Sequence, residues 1–429
     1  MGTRQAVFLA AYDSQLKWCA RIRDEFDRRG FECRVVVPAE KSALSSQQIA
    51  DAGFADVEIL DAAEMLSRAT DADVLVSALS GPATRALIYE LAIRLPDRPG
   101  PVIITGWVGV IIEKVIAGFL DRCGSDLIAV NSTTDIDQFR HAADCLALPP
   151  DNLVLAGLPL LHGTPRPARS TIDTVLFADQ PTVPATETER LYVYRALLDY
   201  AREHPDRQVV LKPRHRLDES TFHRMRHHPE RLLAGEDLPP NVRFDYTPIA
   251  EALPSTDLLL TMSSTACLEA LDHGCRVGLI LDLGVHERYG NHVFLDSGLL
   301  RTFSQLGRDA IGEPRAEWLA GYFFDRLAGA VEVIADRAEE LITSGQRPSR
   351  AVWASEYFAS AAAFYRASGS RTQVDRAQPY GWRALHRRID RHGPVRGTVR
   401  HAFEALVPPV LKRPLLAAAR PLARSAAGH

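Results

Sequence analysis

The chain has 429 residues, 46% of them hydrophobic and 24% charged, and its formal net charge at pH 7 is −4. This is the composition of a globular protein long enough for two domains. The slightly acidic balance excludes nucleic-acid binding through the surface as a whole, and no run reaches the roughly 18 apolar residues of a membrane span.

The six cysteines (Cys19, Cys33, Cys123, Cys145, Cys267, Cys275) are scattered, with no CxxC pair and no zinc-finger spacing, and read as reduced side chains. Thr3-Arg4-Gln5 leads directly into an apolar strand without the longer apolar core of a signal peptide, which predicts a cytoplasmic protein. Lysine is rare and arginine common, a bias that fits a GC-rich genome and lowers the weight of any single arginine.

The pattern predicts a strand over residues 6–11 and a helix over 14–29, with Leu16, Cys19, Ile22 and Phe26 on one face and Gly30 closing it. Strands follow over 31–37, 57–60, 74–79 and 102–105, then a helix over 113–123 and strands over 127–130 and 153–156. Gly163, Pro165 and Pro167 mark 162–171 as a linker. The alternation restarts with strands over 174–178 and 208–212 flanking a helix over 187–203. A strand over 242–245, a short helix over 249–253, a strand over 258–262, a helix over 266–273 and a strand over 277–281 continue it, and a long helix is expected over 317–344.

Fully apolar strands separated by helices imply parallel sheets covered on both faces. The expected class is α/β, with two Rossmann-like doubly wound domains over 1–161 and 172–345, a helical closing segment over 346–379 and a basic extension over 380–429. In such sheets ligands bind beyond the carboxyl ends of the strands.

Two motifs fall at that edge of the second domain. Val209-Val-Leu-Lys-Pro-Arg-His215 is an apolar strand that stops at Lys212, Arg214 and His215; Pro213 ends the strand. Leu258-Leu-Leu-Thr-Met-Ser-Ser-Thr-Ala-Cys-Leu-Glu269 stops at Ser263, Ser264 and Thr265, where a helix begins. Cations at a strand end and hydroxyls at a helix start are two ways to hold a phosphate, and His215 has the chemistry to donate a proton to it. An exposed basic turn and ordinary N-capping are the plainer readings of the same residues. Glu269, one turn into the helix, suits a ribose hydroxyl or simply the positive helix end.

Asp13, after the first strand, is the first candidate for a general base, and Glu113, after the Gly106-Trp107-Val108-Gly109 loop, is the second. His286, Arg288 and Asn291 lie in a polar loop at the same edge and are candidates for contact with a sugar or an acceptor. His286, Glu287 and His292 offer no clear third metal ligand, so no metal is expected. The first strand is followed by no GxGxxG, and the chain has no GxxxxGK[ST], which disfavours a dinucleotide site and an NTPase.

From Tyr380 onward ten basic residues face two acids, Asp390 and Glu404, with Trp382, Leu385, Ile389, Val399 and Phe403 interleaved. That pattern suits an anionic membrane surface or a plain surface extension.

These residues resemble glycosyltransferases of the two-Rossmann-domain GT-B type, among them a group from actinobacteria, over residues 5–345. More distantly the chain is similar to bacterial sialyltransferases, polysialyltransferases and capsular Kdo transferases, which carry a His-Pro motif and a later Ser-Ser or Ser-Thr motif on the phosphate of a CMP-sugar. Ser263-Ser264-Thr265 matches the second motif; Lys212-Pro213-Arg214-His215 is an altered form of the first, with no proline after the histidine.

The resemblance implies a metal-independent glycosyltransferase without a cofactor. A CMP-nonulosonic acid or CMP-Kdo is the expected donor, a UDP-sugar the second, and a surface glycan or glycolipid the acceptor. The charge balance, the N-terminal sequence and the basic tail give the expectation of no nucleic-acid partner and a place in the cytoplasm, peripheral to the inner membrane face. A sugar-nucleotide epimerase, a polyol-phosphate transferase and a non-catalytic nucleotide-binding scaffold share the architecture and stay open.

Overall fold

The computed structural model describes residues 3–39, 44–95, 100–162, 165–219, 225–324 and 328–367. The basic tail expected over 380–429 lies outside the described residues. Among the described residues thirteen strands form two sheets, all parallel within each. The first holds β1 (Gln5–Leu9), β2 (Glu32–Pro38), β3 (Glu58–Leu60), β4 (Val74–Ser77), β5 (Val102–Gly106), β6 (Leu127–Val130) and β7 (Leu153–Leu155), in the order 3-2-1-4-5-6-7. The second holds β8 (Thr174–Ala178), β9 (Gln208–Lys212), β10 (Val242–Phe244), β11 (Leu258–Thr261), β12 (Arg276–Ile280) and β13 (Leu300–Arg301), in the order 10-9-8-11-12-13.

Each order reverses once, between β1 and β4 and between β8 and β11, so each sheet has a crevice beyond its carboxyl edge at that point. The central strands are apolar on both faces because helices cover both; Ala6, Val7, Phe8 and Leu9 are all fully buried. Helix Asp13–Arg28 follows β1 and turns Leu16, Cys19, Ile22 and Phe26 inward. All six cysteines are free thiols, and four of them are buried.

The expected long helix over 317–344 is two helices, Ala316–Tyr322 and Ala330–Ser344, and Gly329 caps the second. Gly321 and Gly329, poor helix formers, flank the break. The second helix, assigned above to the second domain, packs on the first: Ile334, Ala335, Ala338 and Leu341 join the core of β1 and helix Asp13–Arg28. An apolar stripe at helical spacing does not say which sheet it covers. Helices Pro348–Trp353 and Glu356–Ala367 extend the first half further, with Val352 and Phe358 against Tyr89 and Cys123. Among the described residues no helix is long and apolar enough to cross a membrane.

Candidate functional site

The loops that leave the carboxyl ends of the two sheets meet. The first meeting is a seam. Loop 106–112 leaves β5 and lies against the residues after β11: the Val110 N–H donates to Thr265 Oγ1 at 3.1 Å. Gly109 is pressed so close that a Cβ there would stand 2.3 Å from the same oxygen, and one on Gly290 would stand 2.8 Å from Ile112 Cγ2. The first half shapes this loop from beneath. Buried Asn131, just after β6, donates to the carbonyls of Trp107 (3.1 Å) and Gly109 (2.9 Å). Arg122 donates to the carbonyls of Gly106 and Gly118 and lies 4.5 Å from the Trp107 ring centre. Burial pushes the Arg122 guanidinium down to about 10, against the pull of Asp121.

The second meeting is charged. Asp13 opens the helix after β1, and Arg214 follows β9; Arg214 Nη2 and Nε reach Asp13 Oδ2 at 2.6 and 3.2 Å. Burial raises the Asp13 carboxyl, but Arg214, with help from Lys17, more than offsets it and holds the group below its ordinary value. Lys212 ends β9 beside them. Burial first, then Lys17 and Arg214, push its ammonium down to about 8 against the pull of Asp245. Neither Lys17 nor Lys212 has a hydrogen bond or ion pair to its ammonium among the described residues. Glu269 looks onto the same cations, Lys17, Arg21 and Arg214; burial nevertheless raises its carboxyl, and no hydrogen bond engages it among the described residues. A third contact between the halves, Ser45 Oγ to Glu219 Oε1 at 3.2 Å, lies on the loop after Arg214 and His215.

Of the residues proposed from sequence, Asp13, Lys212, Arg214 and Glu269 therefore come together. His215 does not join them: it is 3% exposed, Nδ1 donates to the Arg216 carbonyl at 2.7 Å, and Nε2 accepts from the Met225 N–H at 2.8 Å. Both ring nitrogens are taken by backbone, so the ring shapes the loop and has no nitrogen left for a phosphate.

Ser263 is also structural. Its N–H donates to Gln180 Oε1 at 2.9 Å and its hydroxyl to the Tyr289 carbonyl at 2.5 Å, which ties the loops after β8, β11 and β12 together across the switch crevice. Ser264 caps locally, taking the Ala266 N–H at 3.2 Å, and Thr265 serves the seam. Glu113 is exposed, just after the seam loop. In the polar loop, Asn291 bonds to the backbone of His286 and Gly284, Arg288 pairs with Glu189 at 2.8 Å, and His286 accepts from the Arg288 N–H. Among the described residues no three His, Cys, Asp or Glu side chains gather as a metal site.

Lys17, Gln180 and Asn131 were not singled out from the sequence. Lys17 left one usable trace: the chain has five lysines, at positions 17, 41, 114, 212 and 412, and two of them meet here. Where arginine is the default cation, a lysine is a choice, and its compact charge responds strongly to burial.

Two doubly wound parallel domains whose carboxyl edges face one another across a charged contact define the GT-B class of architecture. The chain belongs to the family described as "Putative glycosyltransferase (DUF6716)", whose family model matches residues 6–341. No curated protein matches the sequence. Among solved structures the chain is similar to a Listeria monocytogenes protein described as a putative UDP-N-acetylglucosamine 2-epimerase, at 13% identity and a TM-score of 0.54 over 81% of this chain and 99% of that one. It is also similar to the UDP-GlcNAc 2-epimerase of Methanocaldococcus jannaschii in complex with UDP-GlcNAc and UDP, at 11% identity and a TM-score of 0.51 over 79% of this chain and 100% of that one. At these identities the likeness establishes the shared fold.

Proposed function

We propose that the protein transfers a sugar from a nucleotide-sugar donor on its second half to an acceptor hydroxyl presented by its first. One observation carries the reading: Lys17, Lys212 and Arg214 converge where the strands of both sheets end, and among the described residues only Asp13 answers them with a hydrogen-bonded carboxylate. An unbalanced cluster of fixed cations stabilises the charge that develops on a departing phosphate. In this reading side chains supply that charge, so activity is expected to survive EDTA. Asp13 is the proposed base, being the first-half carboxylate that pairs with Arg214.

The motif resemblance favours a CMP-linked nonulosonic acid or Kdo as donor; the M. jannaschii neighbour supports a uridine nucleotide. A thermal-shift screen with CMP, CDP, UDP, UDP-sugars and CMP-sialic acid separates them, because a ligand of the folded state raises Tm. A shift with one nucleotide family names the donor class, and no shift with any of them would refute the reading.

Epimerisation is the second reading, favoured by the names of both structural neighbours. It would convert the nucleotide sugar with no acceptor present, so a changed sugar still linked to its nucleotide would support it. The ten basic residues after Tyr380 support an acceptor at an anionic membrane surface on the cytoplasmic side. Co-sedimentation of the full chain with phosphatidylglycerol vesicles but not with phosphatidylcholine vesicles is the expected result; equal pelleting with both would remove the membrane from the account.

A further inference from the structure

We propose that Asp13 stands in for the donor's phosphate: it occupies Arg214 until a phosphate takes the arginine, and the carboxylate so released becomes the base. The inference rests on the donor reading above. Arg214 aims two donors at a single oxygen of Asp13, 201 residues away in sequence and on the other half of the molecule. The guanidinium fork fits a phosphate as well as it fits a carboxylate. Asp13 brings one charge and is anchored to its helix, and among the described residues it leaves the Lys212 ammonium without a hydrogen-bonded partner. A donor phosphate has two free oxygens and no helix to hold it, and a diphosphate adds a second charge, so it can answer Arg214 and Lys212 together and exchange of partners is favoured as the donor enters.

Exchange also changes Asp13. The guanidinium that holds the carboxyl below its ordinary value leaves, while burial, which raises it, stays. The carboxylate becomes a stronger base when the donor is in place. In the step that follows, the acceptor oxygen forms a bond to the anomeric carbon. The bond from that carbon to the phosphate oxygen breaks, its electron pair leaves on the phosphate, and the acceptor proton moves to Asp13. The phosphate reaching the cluster is thus the signal that arms the base.

Calorimetric titration of the full chain with pyrophosphate tests the exchange, using Asp13→Asn, Arg214→Gln and Glu269→Gln. Asp13→Asn is expected to bind pyrophosphate about fivefold more tightly than wild type, the scale of one part-exposed ion pair, and Arg214→Gln about tenfold more weakly. Glu269→Gln removes a nearby charge without touching Arg214, so its gain is expected to be smaller. Binding by Asp13→Asn that is unchanged or weaker overturns the exchange, as does an equal gain in Glu269→Gln or no pyrophosphate binding by any of the proteins. Parallel titrations with CMP and UDP keep the two claims apart. Tighter pyrophosphate binding in Asp13→Asn with no nucleotide bound by either protein would uphold the exchange and refute the donor reading.

Discussion

Of the contacts between the two halves, the seam and the charged contact differ most, and the contrast between them separates structure from chemistry. At the seam the donors that cross or shape the loop are matched: Thr265 takes the Val110 N–H, the Asn131 amide N–H groups hold two carbonyls of the same loop, and Gly109 leaves no gap. At the charged contact the books do not balance. Lys17 and Lys212 face each other beside Arg214, Glu269 is raised by burial among cations, and the Asp13–Arg214 ion pair joins the halves. A satisfied contact holds two bodies together. An unsatisfied one costs stability and persists where a ligand completes it.

The largest expected effect breaks the charged side. Lys212→Met should lower sugar-transfer kcat/KM by roughly 100- to 1000-fold, the usual range for removing one preorganised donor to developing charge, without lowering Tm at pH 7. Its pH dependence sharpens the point. The folded-state ammonium titrates near 8 against an ordinary value of 10.5, so the unfolded chain holds more protons between those values. Stability from this group therefore rises as pH increases from about 8 to 10.5 and is lowest below 8. That rise should appear in wild-type melts and be absent from Lys212→Met; identical profiles would show that Lys212 is not buried among cations.

Breaking the seam should act on stability instead. Gly109→Ala drives a methyl onto Thr265 Oγ1 and is expected to cost about 1–3 kcal/mol in denaturant unfolding. Adding Thr265→Ala should return part of that loss, so the double variant falls short of the sum; strict additivity would mean the two residues do not press on each other. Asn131→Ala, which frees the carbonyls of Trp107 and Gly109, should cost about 1–2 kcal/mol and reduce activity less than Lys212→Met. Glu113→Gln should have the smallest effect, within about 0.5 kcal/mol of stability and about twofold in rate; a loss approaching that of Lys212→Met would favour Glu113 over Asp13 as the base.

The sequence announced the architecture well because its signals are local. Helix Glu187–Glu203 is bounded by the Thr186–Glu189 capping box and by His204-Pro205, and the prediction agrees at both ends. Strand β13 has two residues and carries no period to detect, and the covering of the first sheet by Ile334 and Leu341 is a tertiary choice. The site divides along the same line. Lys212 and Arg214 were legible because a strand ends in cations, while Lys17 sits on a helix face and becomes part of the site only when the halves meet. His215 and Ser263 have the right chemistry in the right motif, yet neighbouring backbone consumes their polar atoms, which no spacing reveals.

The most direct test of the central claim, that the cations between the halves hold a donor's phosphate, is a titration of the nucleotide selected by the thermal screen into wild type, Lys17→Met and Lys212→Met. The account predicts that each substitution weakens binding by about tenfold or more while the variants melt no lower than wild type at pH 7. Nucleotide binding that survives in both variants would contradict it.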